Sequence, residues 1–136
     1  MQINPYLLFD GNCEEALKFY AQILGGKIQA LFTYAGSPAE AQVPPERGGK
    51  ILHATLVVGD QVLHASDCPP GRYEPPKGFS VSIQIKDPAE ADRIFAALAE
   101  NGKVQMPIQK TFWATRFGMV VDRFGIPWMI NCGEAA

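Results

Sequence analysis

Hydrophobic and polar positions along the chain predict two sets of elements in the same order, each a strand, a helix and three more strands. In the first half, apolar runs predict strands at Ile3–Phe9, Lys27–Thr33, Ile51–Val58 and Gln61–Ser66. In the second half, the predicted strands are Phe79–Lys86, Lys103–Met106, Phe117–Val121 and Ile126–Asn131. After the first strand of each set, apolar residues recur at the three- and four-residue spacing of an amphipathic helix.

Helix start and stop signals fit both predicted helices. Asn12 followed by Glu15 forms the pattern of a capping box, in which the Asn12 side chain caps the helix and Glu15 reaches back. Gly25-Gly26 then ends the first helix. Asp87 and Glu90 repeat the capping pattern at the start of the second helix.

The repeated order indicates an internal duplication. Gly26-Lys27-Ile28-Gln29 recurs in the second half as Gly102-Lys103-Val104-Gln105. We therefore predict an α+β fold of two βαβββ repeats, with repeat 1 at about residues 1–67, a Pro-rich linker at about 68–78 and repeat 2 at about 79–136. Each sheet would be covered by a helix on one face, and the opposite faces would form a shared cleft.

Composition narrows the class of protein. At 136 residues with 47% apolar residues, the chain is one domain with a sizeable core. A net charge of −2 without a basic patch argues against nucleic-acid binding. No apolar run approaches the roughly 18 residues of a membrane span, and the N-terminus lacks a signal-peptide pattern, so we expect a cytoplasmic protein with no membrane association.

The three cysteines show no Cys-x-x-Cys spacing, which argues against a disulfide framework or a zinc site. Reduced, structural thiols are the simplest interpretation. Cys13 is predicted to lie in the first turn of a helix, where a thiolate is favoured.

The C-terminal stretch holds both tryptophans and a predicted hairpin. Asp122–Gly125 has turn chemistry between two apolar strands. Alternation places Trp128 on the more apolar strand face, under a helix, and Met129 on the opposite face, toward a cavity. Trp113 falls on a connecting loop, which would place it at the mouth of that cavity.

Several sequence strings carry a resemblance to a known family. They are Pro5–Phe9, Gly11–Cys13, Leu24–Gly26, His53-Ala54, Ala65–Asp67, Phe112–Ala114, Phe117-Gly118 and, most specifically, Asp122–Asn131. With the duplication, they resemble the vicinal oxygen chelate superfamily, which includes glyoxalase I, ring-cleaving dioxygenases and bleomycin- and fosfomycin-resistance proteins. Within it the chain is similar to the PhnB-like branch, also called demethylubiquinone methyltransferase-like, over essentially its whole length.

The resemblance implies a curved sheet around a cavity, often in a homodimer. In the superfamily's metalloenzymes each repeat supplies two metal ligands, and these places fall near Pro5, His64, Val81 (or Ser82) and Met129. Of these residues, only His64 offers a donor that divalent cations prefer. We therefore expect no metal cofactor. A differently built divalent site, in which His53 and His64 join Asp60 or Asp67, is the alternative.

The methyltransferase name finds no support in the residues, because no Gly-x-Gly turn leads from a strand into a helix. The candidate ligand-binding residues are His64, Asp67, Phe112, Trp113, Arg116 and Met129. We predict a metal-free protein that binds a small molecule in an apolar, aromatic-lined cavity. The alternative is a lyase- or isomerase-type enzyme that uses His64, with or without a metal, and the sequence leaves the existence of a reaction open.

Overall fold

A computed structural model describes residues 1–133 of the chain. The chain forms two compact units, unit 1 comprising Met1–Glu74 and unit 2 beginning at Pro75. The boundary falls within the Pro-rich segment predicted as a linker. Within the described residues, no helix is both long enough and apolar enough to span a membrane.

Unit 1 is a four-stranded sheet with one helix. Its elements are β1 (Tyr6–Phe9), α1 (Cys13–Leu24), β2 (Lys27–Thr33), β3 (Ile51–Val58) and β4 (Gln61–Asp67). The strand order is β1-β4-β3-β2, with β1 parallel to β4 and the other pairs antiparallel. The long loop between β2 and β3 contains two short 3₁₀ turns, Glu40–Gln42 and Pro45–Arg47.

Unit 2 repeats this arrangement. Its elements are β5 (Val81–Ile85), α2 (Pro88–Ala99), β6 (Lys103–Gln109), β7 (Arg116–Val121) and β8 (Pro127–Cys132). The strand order is β5-β8-β7-β6, again with only the first and last strands of the unit parallel. The predicted α+β fold of two βαβββ units is therefore confirmed.

The start of α1 differs from the predicted capping box. The Asn12 side chain makes no capping hydrogen bond. Instead, the carboxylate of Asp67, at the end of β4, accepts hydrogen bonds from the backbone N–H groups of Gly11 and Cys13. A residue distant in sequence thus anchors the helix. The predicted end is correct, because Gly25 adopts the left-handed conformation (φ 70°) and its N–H bonds to the carbonyl of Ala21.

The start of α2 follows half of the predicted pattern. The Asp87 side chain accepts a 3.1 Å hydrogen bond from the N–H of Ala89, as an N-cap residue does. The carboxylate of Glu90 lies 3.7 Å from the guanidinium of Arg93 on the exposed side of the helix. The Asp87 half of the predicted capping box is therefore present, whereas the Glu90 side chain faces Arg93 instead of the start of the helix.

Helix α1 contacts β2, β3 and β4, and it covers one face of the unit 1 sheet. Strand alternation assigns to this covered face the buried residues Leu7, Phe9, Ala54, Leu56, Leu63 and Ala65. From the helix, Ala16, Leu17 and Tyr20 are fully buried. The opposite side of the sheet is here called the open face of unit 1.

In unit 2, α2 covers the sheet face that carries Val120, Trp128 and Ile130, all buried. Gly118 lies on that face, and a Cβ there would come within 2.6 Å of the Phe95 ring on α2. The position therefore requires glycine for close helix–sheet packing. The predicted core position of Trp128 is confirmed, and Met129 lies on the opposite, open face.

The first strand of each unit is shorter than predicted. Pairing of β1 with β4 begins at Tyr6, and Ile3 is 91% exposed. Pairing of β5 with β8 begins at Val81, and Phe79 is exposed. Apolar residues extend beyond the paired segment in both cases, so hydrophobic pattern alone overestimated the strand lengths.

Candidate functional site

The open face of unit 1 gathers four polar side chains from three adjacent strands. Tyr6 on β1 pairs with His64 on β4, and His64 pairs with Thr55 on β3. His53 lies two residues before Thr55, so strand alternation places its side chain on the same face. We call Tyr6, His53, Thr55 and His64 the histidine cluster.

The histidine cluster is linked by side-chain hydrogen bonds. The Tyr6 hydroxyl lies 3.2 Å from Nδ1 of His53, and the Thr55 hydroxyl lies 3.5 Å from Nε2 of the same ring. The Thr55 hydroxyl also lies 3.2 Å from Nδ1 of His64. The two imidazole rings stack with their centroids 5.4 Å apart. Among residues 1–133, no group hydrogen-bonds to Nε2 of His64.

Apolar side chains border the histidine cluster on the same face. Phe32 pairs with His53 across β2 and β3, and Leu8 follows Tyr6 by two residues on β1. Their side chains are 60% and 48% exposed, which is high for residues of this size on a sheet. The open face thus combines exposed apolar surface with a few convergent polar groups, the combination typical of small-molecule sites.

The family resemblance implies two metal-ligand positions in each unit. In unit 1, the residues at these positions are Tyr6 and His64. The sequence pointed to Pro5 for the first strand, but Tyr6 is the residue that pairs with His64 and shares its face. Pro5 contributes only its carbonyl, which accepts the backbone N–H of His64. Unit 1 therefore offers one imidazole and one phenol at these places.

The corresponding places in unit 2 are Ser82 and Met129, which pair directly. Val81, the other candidate, pairs with Trp128 and belongs to the covered face. A hydroxyl and a thioether are poor donors for a divalent cation. With His64 as the sole strong donor at the four places, the residues do not fit the metal centre that the family resemblance implies.

The alternative metal site with an aspartate is not supported either. Within the described chain, no three His, Cys, Asp or Glu side chains are close enough to hold an ion together. Asp60 lies in the exposed β3–β4 turn, where it accepts from the Gln61 side chain. Asp67 lies on the covered side of β4, opposite to His64.

The carboxylate of Asp67 is part of the framework of unit 1. It is 1% exposed and accepts hydrogen bonds from three backbone N–H groups, those of Gly11, Cys13 and Ile51, at 2.9–3.0 Å. The backbone carbonyl of Asp67 also accepts from the Tyr34 hydroxyl at 2.7 Å. These contacts join the start of α1, the start of β3 and the β2–β3 loop. They leave no free carboxylate oxygen to orient a ligand on the open face.

In unit 2, the structure brings together the two aromatic candidates, Phe112 and Trp113, and a third ring, that of Phe117. Phe112 and Trp113 lie on the loop between β6 and β7, with ring centroids 4.8 Å apart in an edge-to-face arrangement. Trp113 makes a similar contact with Phe117 at 5.2 Å. Phe112 is 91% and Trp113 43% exposed, so both rings are accessible for stacking.

Arg116, by contrast, already makes an ion pair and a hydrogen bond within unit 2. Its Nε donates to the carboxylate of Asp92 on α2 at 3.3 Å, and its Nη1 donates to the carbonyl of Thr115 at 2.9 Å. These contacts hold Arg116 against its own unit.

The open face of unit 2 also carries a chain of side-chain hydrogen bonds beside Met129. The Asn131 amide donates to Gln84 at 2.7 Å, and the Gln84 amide donates to Ser82 at 3.1 Å. Strand alternation at β5 and β8 places all of them on this face. The two open faces therefore differ in chemistry, imidazole and phenol on one and amide and thioether on the other.

Cys13 does not behave as a helix-start thiolate. Burial, followed by the nearby carboxylates of Asp67 and Glu14, raises the pKa of the Cys13 thiol from 9.0 to about 12. The Asp67 carboxylate occupies the N–H groups that would otherwise stabilise a thiolate. The sequence expectation of a favoured thiolate at this position is wrong.

The expected aromatic-lined cavity has no counterpart in the cleft beside α1. That cleft, of about 420 Å³, is lined chiefly by polar, charged and glycine residues, among them Gly11, Glu14, Lys18 and Lys50. The Lys50 ammonium donates to the carbonyl of Gly11 at 2.8 Å. The exposed aromatic side chains lie elsewhere in the two units.

Sequence reasoning missed Tyr6 and Thr55. Both become visible only when the parallel β1–β4 pairing and the antiparallel β3–β4 pairing are known, because each is a register partner of His64. A usable signal was present in the family resemblance, since two ligands of one metal on the first and last strands of a unit require those strands to be neighbours. Pairing the neighbouring strands with His64 and following the alternation of side chains along them would then have placed Tyr6, Thr55 and His53 on the same face as His64.

Comparison with known proteins identifies relatives along the whole chain. Residues 1–131 match the family model described as 3-demethylubiquinone-9 3-methyltransferase. Protein YjdN of Escherichia coli strain K12 is 35% identical over 139 residues, spanning 96% of this chain and 95% of YjdN.

Solved structures share the fold. Protein PA1353 from Pseudomonas aeruginosa superimposes with a TM-score of 0.90 at 50% identity, over 99% of each chain. The PhnB protein from Bacillus cereus, described as a putative 3-demethylubiquinone-9 3-methyltransferase, gives a TM-score of 0.80 at 23% identity, over 98% of this chain and 100% of that one. A glyoxylase/bleomycin resistance protein/dioxygenase domain from Frankia sp. EAN1pec gives 0.69 at 15% identity, over 98% of each, which shows the fold alone.

Proposed function

The chain belongs to the 3-demethylubiquinone-9 3-methyltransferase family, and from this premise we propose that it is a metal-free protein that binds a small aromatic or amphipathic molecule. The family and the glyoxalase-like fold were both expected from the sequence and are confirmed. The proposed binding surface is the open face of unit 1.

The histidine cluster is the observation that carries the proposal. It presents Nε2 of His64, a ring nitrogen with no partner among the described residues, beside exposed apolar side chains. A ligand with an aromatic ring and one hydrogen-bonding group would cover Phe32 and Leu8 and bond to His64. Such a complex gains apolar burial and satisfies the imidazole at once.

A metal ion has no part in the proposal because the donor set does not fit one. Tyr6, His64, Ser82 and Met129 occupy the places where the superfamily's metalloenzymes carry ligands. Only the imidazole of His64 is a strong donor for divalent transition metals. No chemical step is therefore assigned to a metal.

Methyl transfer has no part in it either. An adenosylmethionine or nucleotide site would use free N–H groups at a strand-to-helix turn. At the β1–α1 turn, the N–H groups of Gly11 and Cys13 are taken by Asp67. At the β5–α2 turn, Asp87 and Pro88 stand where the glycine-rich segment would be.

Unit 2 supplies further proposed ligand contacts. Phe112 and Trp113 have exposed ring surface, and Met129 lies on the open face of its sheet. We propose that these residues offer stacking or apolar contact to a small molecule bound at unit 2 itself. Arg116 and Asp67 are left out of the ligand contacts because both are bonded within their own units.

A fluorescence titration tests the proposed function. Anilinonaphthalene sulfonate is an aromatic, amphipathic probe whose emission rises on binding to apolar surface. We expect saturable binding to the folded wild-type protein, weakened at least about fivefold by His64→Ala, which corresponds to roughly 1 kcal/mol. Gln22→Ala, on the exposed side of α1, serves as the matched control and should leave the affinity unchanged.

Equal affinity in wild type and His64→Ala would place the bound probe away from the histidine cluster and contradict the proposal. Circular dichroism must show that each variant is folded, since partly unfolded chains also bind the probe.

We further propose a homodimer in the cytoplasm. Unit 2 leaves large apolar side chains exposed that the proposed ligand contacts do not use, namely Phe79, Val104 and Met106. Pairing with a second copy would cover part of this surface. The buried free thiols of Cys13, Cys68 and Cys132 suit a reducing compartment. Sedimentation velocity at micromolar concentration should return twice the chain mass, and a monomer mass would contradict the dimer.

A further inference from the structure

The histidine cluster is a continuous hydrogen-bonded path with two open ends. It runs from the Tyr6 hydroxyl through His53 and Thr55 to His64. Each imidazole contributes both a donor and an acceptor nitrogen when it is neutral, and each hydroxyl can donate and accept. The protons of the path can therefore be arranged in two ways, which differ in which partner of each hydrogen bond is the donor.

In the first direction, each group donates toward Tyr6. Nδ1–H of His64 donates to Thr55, the Thr55 hydroxyl donates to Nε2 of His53, and Nδ1–H of His53 donates to the Tyr6 oxygen. Nε2 of His64 is then a free base, and the Tyr6 hydroxyl proton points outward as an acid.

In the second direction, every hydrogen bond is reversed. The Tyr6 hydroxyl donates to Nδ1 of His53, Nε2–H of His53 donates to Thr55, and the Thr55 hydroxyl donates to Nδ1 of His64. Nε2 of His64 now carries a proton, and the Tyr6 oxygen has a free lone pair. Both states are neutral and differ by one proton moved along the path.

We propose that the histidine cluster is a proton relay that interconverts the keto and enol forms of a small carbonyl compound bound between His64 and Tyr6. The inference rests on the proposed function, in that a small molecule must occupy the open face of unit 1. It adds a reaction and a substrate class: carbonyl compounds with an acidic C–H bond next to the carbonyl group.

The reaction balances without a cofactor. Nε2 of His64 removes a proton from the carbon beside the carbonyl, and the electron pair of that C–H bond becomes the new carbon–carbon double bond. The carbonyl π electrons take the Tyr6 hydroxyl proton, which gives the enol. Protons then pass from His64 through Thr55 and His53 to the Tyr6 oxygen. The cluster ends in its second state, with no oxidant or reductant consumed.

The reverse passage restores the first state. Nε2–H of His64 protonates carbon, and the Tyr6 oxygen takes the proton of the enol. A substrate that turns or shifts between the two passages leaves as an isomer. Acid and base are thus coupled, because the proton gained at one end of the path is released at the other.

The residues at the two ends of the path are neighbours on the open face. Tyr6 and His64 are register partners, and their rings have centroids 6.1 Å apart with planes inclined by 31°. The weakest link is the 3.5 Å separation between Thr55 and His53, at the long end for a hydrogen bond. Catalytic hydrogen bonds are often long without substrate and shorten when it binds.

Benzoylacetone is a suitable probe because it is aromatic, uncharged and largely enolic in organic solvent. Its conversion to the keto form after dilution into water is followed by the loss of enol absorbance. We expect the wild-type protein to accelerate this conversion by about a hundredfold over buffer at saturation, within the range of general acid–base catalysis. Hydrogen–deuterium exchange of the methyl group of acetophenone in deuterated water gives a second readout.

Thr55→Val and Thr55→Ser form the decisive pair of variants. Valine has the shape of threonine but breaks the path, and we expect a drop in the saturated rate of at least about tenfold. Binding of benzoylacetone, measured separately by its effect on the histidine proton resonances, should not change. Serine restores the hydroxyl and should restore the rate. A merely structural role for Thr55 would not separate the rate from binding in this way.

Failure of the inference differs from failure of the proposed function. If the probe shifts the histidine resonances but neither reaction is accelerated, binding stands and the relay is wrong. The relay is also wrong if His64→Gln or Thr55→Val retains the wild-type rate. The relay is equally wrong if no carbonyl probe binds. In that case the fluorescence titration alone decides whether the proposed binding function holds.

Discussion

The indole N–H of Trp128 donates a 2.8 Å hydrogen bond to the buried carboxylate of Asp122. The other oxygen of that carboxylate accepts from the backbone N–H groups of Phe124 and Ile126, which fixes the turn between β7 and β8. Trp128 is therefore held both by packing beneath α2 and by a charged acceptor in its own hairpin. We therefore expect Trp128 to contribute strongly to the stability of unit 2.

Trp128→Ala should lower the free energy of unfolding by about 3–5 kcal/mol, the usual cost of truncating a buried aromatic residue. Trp113→Ala should cost less than about 1 kcal/mol, since that ring is 43% exposed on a loop. Thermal melts of both variants compare the two directly. A larger loss for Trp113→Ala would reverse the assignment of core and surface.

Asp67→Ala should destabilise the chain by about 3 kcal/mol, because it leaves three backbone N–H groups without their acceptor, at least two of them buried. Asp60→Ala, in the exposed β3–β4 turn, is the control and should stay within about 0.5 kcal/mol. Urea denaturation measures both. Similar effects for the two variants would contradict the framework role of Asp67.

Cys13 should make folding stability depend on alkaline pH. Its pKa is higher in the folded chain, about 12, than the ordinary value of 9.0. The thiol therefore contributes stability that is fully present below about pH 9 and is lost as the pH rises toward 12. Urea denaturation of wild type and Cys13→Ala across this range should show the difference between them shrinking with pH.

The same burial predicts slow thiol chemistry at Cys13. In the native protein at about pH 8, a thiol reagent should leave Cys13 unmodified, because little thiolate is present. In urea, all three cysteines should react. Peptide mapping that finds Cys13 modified first in the native state would show that the thiol is neither buried nor protonated as described.

Metal content follows from the donors at the four places where the superfamily's metalloenzymes carry ligands. Protein purified without a histidine tag should carry no stoichiometric divalent metal, since of Tyr6, His64, Ser82 and Met129 only His64 is a strong donor. Elemental analysis of wild type and His64→Ala should give the same low values. About one Ni, Zn, Fe or Mn per chain that is lost in His64→Ala would overturn the metal-free account.

Much of the fold was predictable because its signals are local. The glycine pair Gly25-Gly26 ends α1, and the Asp87 cap starts α2, at positions that a neighbourhood of four residues determines. Strand alternation placed Trp128 and Met129 on the correct faces. The capping of α1 was not predictable in this way, since its acceptor, Asp67, is more than 50 residues away.

The candidate site was less predictable because it depends on register. A shift of one residue between strands exchanges the two faces of a sheet. This is why Pro5 was selected where Tyr6 is the partner of His64, and why Val81 could not be separated from Ser82. Asp67 was misplaced for the same reason, since proximity in sequence to His64 does not show that it lies on the covered side.

The most direct test of the account records the imidazole proton resonances of His53 and His64 while anilinonaphthalene sulfonate is added. The account predicts that resonances of both rings shift together and saturate, with the same dissociation constant as the fluorescence titration. His64→Ala, which removes one set of signals, assigns them. A probe that binds to the folded protein by fluorescence, yet leaves both histidine resonances unmoved, would show that the open face of unit 1 is not the binding surface.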